Sequence, residues 1–302
     1  MRMLVLYPML SFRSVPVLYV RRVATNITEA GKHLVYGPGR VDYIEGETVP
    51  KIINRLGPFD RVLVLEPKYA AYWIQGLEKV TLKKGVLLTD YVTFKRQVDR
   101  TNRFLDICRF DVLFHHTLVE GKNLKAYKRK ENAVYLPMGV DPEYFKRLNL
   151  PRVYDVAAMW NDNADAYPER LQIKRMLRKE PGLSVFLEQT FFEDYVRVLN
   201  QSKICISSRS IDKNIQSRFT EAAACGSLLL TDPVEDLGVQ GWRDGINLVV
   251  YHNIYELIEK AKFYASHEEE RSRITEKAYS FVLDNFRNEL LIKKIEDVME
   301  AL

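Results

Sequence analysis

SKICISSRSIDKNIQSRFTEAAACGSLLLTD, residues 202–232, holds two apolar runs of strand length with a helix-length segment between them. Ile204–Ser207 and Ser227–Leu230 are continuous and rich in β-branched or leucine side chains, the pattern of strands buried on both faces. Gln216–Ala224 reads as a helix, and Gly226 ends it. Strand, crossover helix and strand in that order give a parallel pair. The loop between the first run and the helix is polar and basic, with Ser208, Arg209 and Lys213, and Arg218 falls in the first helical turn. In open α/β sheets ligands bind beyond the carboxyl ends of the strands. A helix N-terminus there offers free N–H groups to a phosphate, and a guanidinium adds a bidentate contact. Glu221, one turn further on, is placed to accept hydrogen bonds from two ribose hydroxyls. The same residues fit equally well a charged surface loop followed by a helix-favouring glutamate.

Outward from this segment the alternation continues in both directions. Towards the N-terminus, strands are expected at Leu4–Leu6, Leu34–Tyr36, Val62–Leu65, Val86–Leu88, Val112–Phe114 and Val134–Leu136, with helices at Val49–Leu56 and Tyr91–Ile107. The pattern restarts after the proline- and glycine-marked passage Leu136–Pro142. A second series follows, with strands near Asp155–Met159, Ser184–Leu187 and Leu248–Tyr251 beside the two already quoted, and helices near Tyr167–Lys179 and Phe192–Asn200. Helical periodicity then takes over, in Ile254, Leu257, Ile258, Ala261 and Tyr264 and again in Leu291, Ile295, Val298 and Leu302. The expectation is an α/β protein with a parallel sheet in each of two domains. The first would span residues 1–145 and the second 146–285, with a terminal helix over 286–302 returning to the first.

Composition bounds the function classes. The chain has 302 residues, 47% of them apolar and 28% charged, which supports real cores and excludes a disordered tail. Three widely separated cysteines, Cys108, Cys205 and Cys225, form neither a disulfide framework nor a zinc spacing and suit a reducing compartment. The apolar run at the N-terminus is too short for a signal peptide, and no run reaches the ~18 apolar residues of a membrane span. A cytoplasmic protein is expected. Charge is unevenly divided: residues 1–150 carry 25 Lys/Arg against 15 Asp/Glu, a net +10, and residues 151–302 carry 20 against 25, a net −5. A basic half points to an anionic partner such as a lipid-linked acceptor or the inner face of a membrane, contacted peripherally. Its densest cluster, Lys122, Lys125, Lys128, Arg129 and Lys130, also fits a plain exposed helix face. No helix-turn-helix, aromatic RNA-binding strand motif or zinc finger is present, so no nucleic-acid partner is expected.

RFTEAAACGSLLLTD (Arg218–Asp232) resembles the "EA-x-ACG and apolar strand" signature of GT-B glycosyltransferases, in particular the group related to bacterial spore-maturation glycosyltransferases. LPMGVDPEYF (Leu136–Phe145) is similar to the interdomain passage of that fold, and Tyr251–Phe286 to its helical ending. The resemblance covers Leu136 to Phe286. It implies two Rossmann-like domains facing a cleft, with the nucleotide sugar, a UDP- or GDP-sugar, on the second and the acceptor on the first. Glu221 takes the place of the ribose-binding glutamate and Arg218 that of a diphosphate contact. Many retaining members carry a second glutamate eight positions earlier, where this chain has Lys213. Retention is what the resemblance favours, and the lysine leaves the stereochemistry open.

Three further places are candidates. Trp160-Asn161-Asp162-Asn163 follows the first strand of the second half and faces the same end of the sheet. It lacks the glycines of a dinucleotide fingerprint, which argues against a dehydrogenase, and Asn161 fits a donor contact or a helix cap. Asp90 ends a strand of the first half, where a carboxylate can serve as general base on an acceptor hydroxyl or as an N-cap. His115 and His116 end another, and because neighbours on a strand point oppositely only one of them can face a ligand. No cofactor or metal is expected, because basic side chains and a helix dipole can stabilise a departing diphosphate and no Asp-x-Asp follows an apolar strand. A nucleotide-sugar epimerase, or a non-catalytic nucleotide-sugar-binding or structural protein, would share these features.

Overall fold

The computed structural model describes residues 1–9, 18–66, 72–88, 95–116, 132–160, 167–208 and 215–302. The chain divides into two compact units, Met1–Pro137 with Asn288–Leu302, and Met138–Arg287.

The first unit is built on β1 (Met3–Leu6), β2 (Leu34–Tyr36), β3 (Arg61–Leu65), β4 (Lys83–Leu88), β5 (Val112–His115) and β6 (Ala133–Tyr135). They form one parallel sheet in the order β2-β1-β3-β4-β5-β6. Helices α1 (Leu18–Glu29), α2 (Val49–Leu56) and α3 (Lys95–Cys108) cover it. On one face Leu4, Leu6, Val62, Val64, Val86, Leu88 and Leu113 form a core with Val49 and Ile52 of α2 and Leu105 and Cys108 of α3.

The second unit repeats the scheme with β7 (Tyr154–Ala157), β8 (Val185–Phe186), β9 (Ser202–Ser207), β10 (Leu228–Thr231) and β11 (Val249–Val250), all parallel, in the order β11-β10-β9-β7-β8. Its helices are α4 (Pro168–Lys179), α5 (Phe192–Gln201), α6 (Arg218–Ala224), α7 (Leu237–Gln240), α8 (Ile254–Ser266) and α9 (Glu268–Asn285). Val156, Ala158, Trp160, Ile204, Ile206, Leu228 and Leu230 pack with Ile173 and Leu177 of α4, Leu257, Ile258 and Ala261 of α8 and Ile274 of α9. Side chains alternate along a strand, so Cys205 and Ser207 turn to the opposite face.

Arg152, in the segment leading into β7, ties the amino-terminal side of this sheet together. Its Nη1 donates to the carbonyls of Leu199 and Ser202 and to Ser227 Oγ, and its Nη2 to the carbonyls of Cys225 and Gly226. Carbonyls at the ends of helices lack a full set of intrahelical donors, and here one guanidinium donates to several of them. Gly226 has φ +72, and a Cβ there would stand 2.9 Å from both Arg147 Nε and Arg152 Nη2, so glycine is required by both backbone and neighbours.

The chain ends in α10 (Asn288–Glu300), which belongs to the first unit. It lies so close to β4 that a Cβ on Gly85 would meet Met299 Sδ at 2.6 Å. His33 fastens it: Nδ1 accepts from the Met3 N–H at 3.1 Å, and Nε2 therefore carries the proton it gives to Glu296 Oε1 at 2.6 Å.

All eleven expected strands are present, most within a residue or two. Helix α1 was not anticipated from the sequence. Its β-branched residues, Val20, Val23, Thr25, Ile27 and Thr28, lower the intrinsic helix propensity of the segment. In the fold Tyr19, Val20, Val23, Ala24 and Ile27 form a buried helical stripe, and Thr25 and Thr28 return their hydroxyls to the Arg21 and Ala24 carbonyls, both at 2.9 Å. Among the described residues no helix is long and apolar enough to cross a membrane.

Candidate functional site

In the second unit the chain passes from β7 to β8 on one side and then crosses to β9 on the other. The reversal leaves a crevice at the carboxyl ends of β7 and β9, where open α/β sheets take their ligands. Two arginines reach it. Arg218, at the start of α6, donates from Nη2 to the Met159 carbonyl just past β7, at 2.9 Å. Its Nε and Nη1 are buried with no hydrogen-bond partner among the described residues. Arg170, in the first turn of α4, donates from Nη2 to the Ser208 carbonyl just past β9, at 3.3 Å. Its guanidinium lies over the Tyr167 ring, 3.7 Å from the centroid, and 5.9 Å from that of Trp160.

The arginines feel each other. Burial, and then the Arg218 charge, pull the proton affinity of Arg170 down to about 10. A buried cation costs free energy unless an anion or hydrogen bonds compensate it. Among the described residues, Arg218 Nε and Nη1 leave much of the five-donor capacity of the guanidinium unused. Ser207 Oγ, on the same face as Cys205, is also buried without a hydrogen-bond partner among the described residues. The crevice therefore offers donors for an oxyanion with several oxygens.

Glu221 sits one turn along α6 from Arg218 and is 5% exposed. Its Oε2 accepts from the Tyr195 hydroxyl of α5 at 2.8 Å. Burial raises its carboxyl above the ordinary range, and the hydrogen bonds from Tyr195 and Ser217 and the Arg218 charge work against that rise. Burial also lifts the Tyr195 phenol well above its usual value, so it stays a neutral donor. The three cysteines are buried, and burial raises all their thiols, Cys108 and Cys205 to about 12. They are packing residues.

The corresponding edge of the first unit has a different character. Its reversal lies between β1 and β3. Glu66, the residue after β3, is 1% exposed and has φ +56, a left-handed conformation that costs a non-glycine residue about 1 kcal/mol or more. His115 ends β5 fully buried, with its ring edge-on to Tyr135 at 5.9 Å. The next residue, His116, takes the opposite face. Its Nδ1 lies 2.6 Å from the Leu136 carbonyl and its ring meets Tyr19 edge-on at 5.2 Å. A carbonyl only accepts, so Nδ1 carries the proton and Nε2 holds the lone pair. Nε2 is buried without a hydrogen-bond partner among the described residues. Burial lowers the imidazole to about 4, the Leu136 bond only partly offsetting it and the neighbouring His115 adding to it.

Of the residues singled out from sequence, Arg218, Glu221 and Ser208 thus gather at one crevice in the second unit, and His115 and His116 share a strand end in the first. Asp90, Asn161, Arg209 and Lys213 lie outside the described residues, as does the Lys122–Lys130 cluster. Sequence reading missed Arg170, Tyr195 and Glu66. Arg170 and Tyr195 sit 48 and 26 positions before Arg218 and Glu221 respectively, and no local spacing connects them. Among the described residues no group of three His, Cys, Asp or Glu is placed to hold a metal ion.

Residues 160–297 match the model of a family described as glycosyl transferase-like. No curated protein matches the sequence. Solved structures match along the whole chain. HepE from Anabaena, determined with UDP and glucose, superimposes with a TM-score of 0.73 at 10% identity over 100% of both chains. Sucrose-phosphate synthase from Thermosynechococcus elongatus gives 0.67 at 11% identity, covering 99% of this chain and 98% of that one. A glycosyltransferase from Rickettsia africae gives 0.64 at 14% identity over 99% and 98%. The fold is that of the GT-B glycosyltransferases, α/β with a parallel sheet in each unit, and the second unit is glycosyltransferase-like in sequence.

Proposed function

We propose that the protein transfers a sugar from a nucleoside-diphosphate sugar to an acceptor, and that the second unit holds the donor. One observation carries this reading: at the switch point of a sheet whose sequence is glycosyltransferase-like, Arg218 Nε and Nη1 are buried with no hydrogen-bond partner among the described residues. A diphosphate supplies the missing acceptors, with Arg170 on its other flank, and Glu221 takes the ribose hydroxyls. UDP is the first nucleotide to test because HepE was solved with it. GDP is the second.

The chemistry follows from those charges. As the glycosidic bond to the β-phosphate breaks, negative charge grows on the leaving oxygen. Preorganised guanidinium groups stabilise it without reorganising. Arginine thereby does what a bound metal does in other transferases, and turnover undiminished by a chelator is expected. On the acceptor side the first unit supplies Asp90, proposed as the carboxylate that assists the acceptor hydroxyl. Asp90→Asn should keep donor affinity and lose 10²- to 10⁴-fold in transfer rate. If Asp90 plays no part, His116 Nε2 is the next lone pair to test. The RFTEAAACG segment supports placement with the spore-maturation-type group and, with it, transfer with retention. The anomeric configuration of the product, read by NMR, tests that.

The +10 charge of residues 1–150 supports an anionic acceptor, reached from the cytoplasmic side of a membrane. Sedimentation with anionic vesicles that exceeds sedimentation with neutral ones, and that fades between 0.1 and 1 M salt as the Debye length falls from about 10 to 3 Å, is the expected result. Equal sedimentation would leave a water-soluble acceptor.

The decisive experiment is a thermal-shift panel of UDP-, GDP-, ADP-, CMP- and dTDP-sugars. A ligand that binds only the native state raises the melting temperature by mass action. One nucleotide should stand out, and a flat panel would overturn the donor reading. Product analysis then separates a transferase from an epimerase, which returns an altered nucleotide sugar, and from a binding protein, which returns the donor unchanged.

A further inference from the structure

We propose that Tyr195 is the positioning residue that sets Glu221 for the ribose of the bound nucleotide, an inference that rests on the donor reading above. A glutamate has three side-chain torsions and, left alone in a crevice, samples several orientations. Here Oε2 accepts from the Tyr195 hydroxyl at 2.8 Å, with Ser217 hydrogen-bonding the same carboxyl from within its own helix end, and both Tyr195 and Glu221 are buried. A tyrosine has only two torsions. This one is further restrained by its place in the middle of α5 and by the Phe145 ring, edge-on at 6.2 Å.

The direction of the hydrogen bond matters. A phenol donates to a carboxylate, and a carboxylate can accept about four hydrogen bonds on its two oxygens. Donation to Oε2 therefore holds the group without exhausting it. It also favours the ionised form, which accepts hydroxyl protons most strongly. Ribose presents two adjacent hydroxyls as donors, and a carboxylate held in one plane can meet both. One that rotates meets them only part of the time. Tyr195 comes from a different helix than Glu221, so the ribose site depends on α5 and α6 keeping their relative position.

This role predicts a loss of discrimination more than a loss of affinity. The probes are UDP and 2′,3′-dideoxy-UDP, which lacks both ribose hydroxyls, titrated calorimetrically into the full chain. The wild-type protein should prefer UDP by roughly 10- to 100-fold, the usual worth of hydrogen bonds to a charged group. Glu221→Ala should abolish the preference. Tyr195→Phe keeps the ring, the packing and the carboxylate and removes only the hydroxyl. It should cut the preference to about threefold or less, leaving dideoxy-UDP affinity and the far-UV circular dichroism spectrum unchanged. A preference lost in Glu221→Ala but intact in Tyr195→Phe would overturn the role of Tyr195 while leaving the donor site standing. Equal weakening of both probes in Tyr195→Phe would also overturn it, because a merely structural tyrosine has no reason to distinguish them. A wild-type protein indifferent to the ribose hydroxyls, or a preference that survives Glu221→Ala, would overturn the donor reading and this inference with it.

Discussion

Both units reverse the direction of their sheet once, and the two reversals are furnished in opposite ways. The second brings two arginines and a glutamate to its carboxyl edge, with two Arg218 nitrogens buried and without a hydrogen-bond partner among the described residues. The first brings Glu66 in a strained backbone conformation to its reversal, and further along the same edge a buried histidine pair whose second member stays neutral. One edge holds two buried arginines that repel each other, a repulsion an anion relieves. The other stores conformational and desolvation cost, which a proton makes worse. One architecture, used twice in a single chain, can thus be specialised entirely by what is placed beyond the strand ends.

The largest expected effect comes from removing one of those arginines. Arg218→Met should weaken UDP binding by about 2–4 kcal/mol, roughly 30- to 1000-fold in Kd by calorimetry. Unchanged UDP affinity in folded Arg218→Met protein would show that the contrast between the edges is false.

On the first edge, pH is the lever. The unfolded chain protonates His116 below the ordinary value of 6.5, whereas the native chain resists until about 4. The native state therefore binds fewer protons across that interval, and its stability is lost as pH falls through it. One pKa unit corresponds to about 1.36 kcal/mol, so the loss approaches about 3 kcal/mol. Urea denaturation at pH 7, 5.5 and 4 measures it. His116→Asn keeps a donor for the Leu136 carbonyl and should flatten the profile. An unaltered profile would assign the acid sensitivity to other groups.

The smallest effect is at Glu66. Glycine tolerates φ +56, so Glu66→Gly should stabilise the protein by about 1 kcal/mol in the same assay at pH 7. A loss of stability would show that the Glu66 side chain stabilises the fold by more than its backbone costs.

Much of this architecture was legible because buried parallel strands write themselves as unbroken apolar runs, as in Leu63–Leu65 and Leu228–Leu230. Their order in the sheet, and so the place of each reversal, followed only from the folded chain. Arg218 and Glu221 were legible because they share a helix and their spacing encodes one turn. Tyr195 and Arg170 were not, since each acts across a contact between elements far apart in sequence. The strain at Glu66 leaves no trace in sequence at all. Helix α1 was missed for another reason: its β-branched residues lower intrinsic helix propensity, and burial of the stripe Val20, Val23, Ala24 and Ile27 outweighs that.

Arg152 acquires a wider meaning in this light. It grips the carboxyl ends of α5 and α6, whereas Tyr195 and Glu221 meet further back along the same two helices. At 1.5 Å per residue, Cys225 lies about 10 Å along the helical path from Arg218. The guanidinium is in effect a spacer clamped at one end of a pair of rods, and the ribose site is the gap near their other end. Arg152→Lys, which cannot span five acceptors from one planar group, would let the rods splay. Nucleotide selectivity would then be set partly by a residue that no nucleotide touches, and a survey of contact residues alone would overlook it.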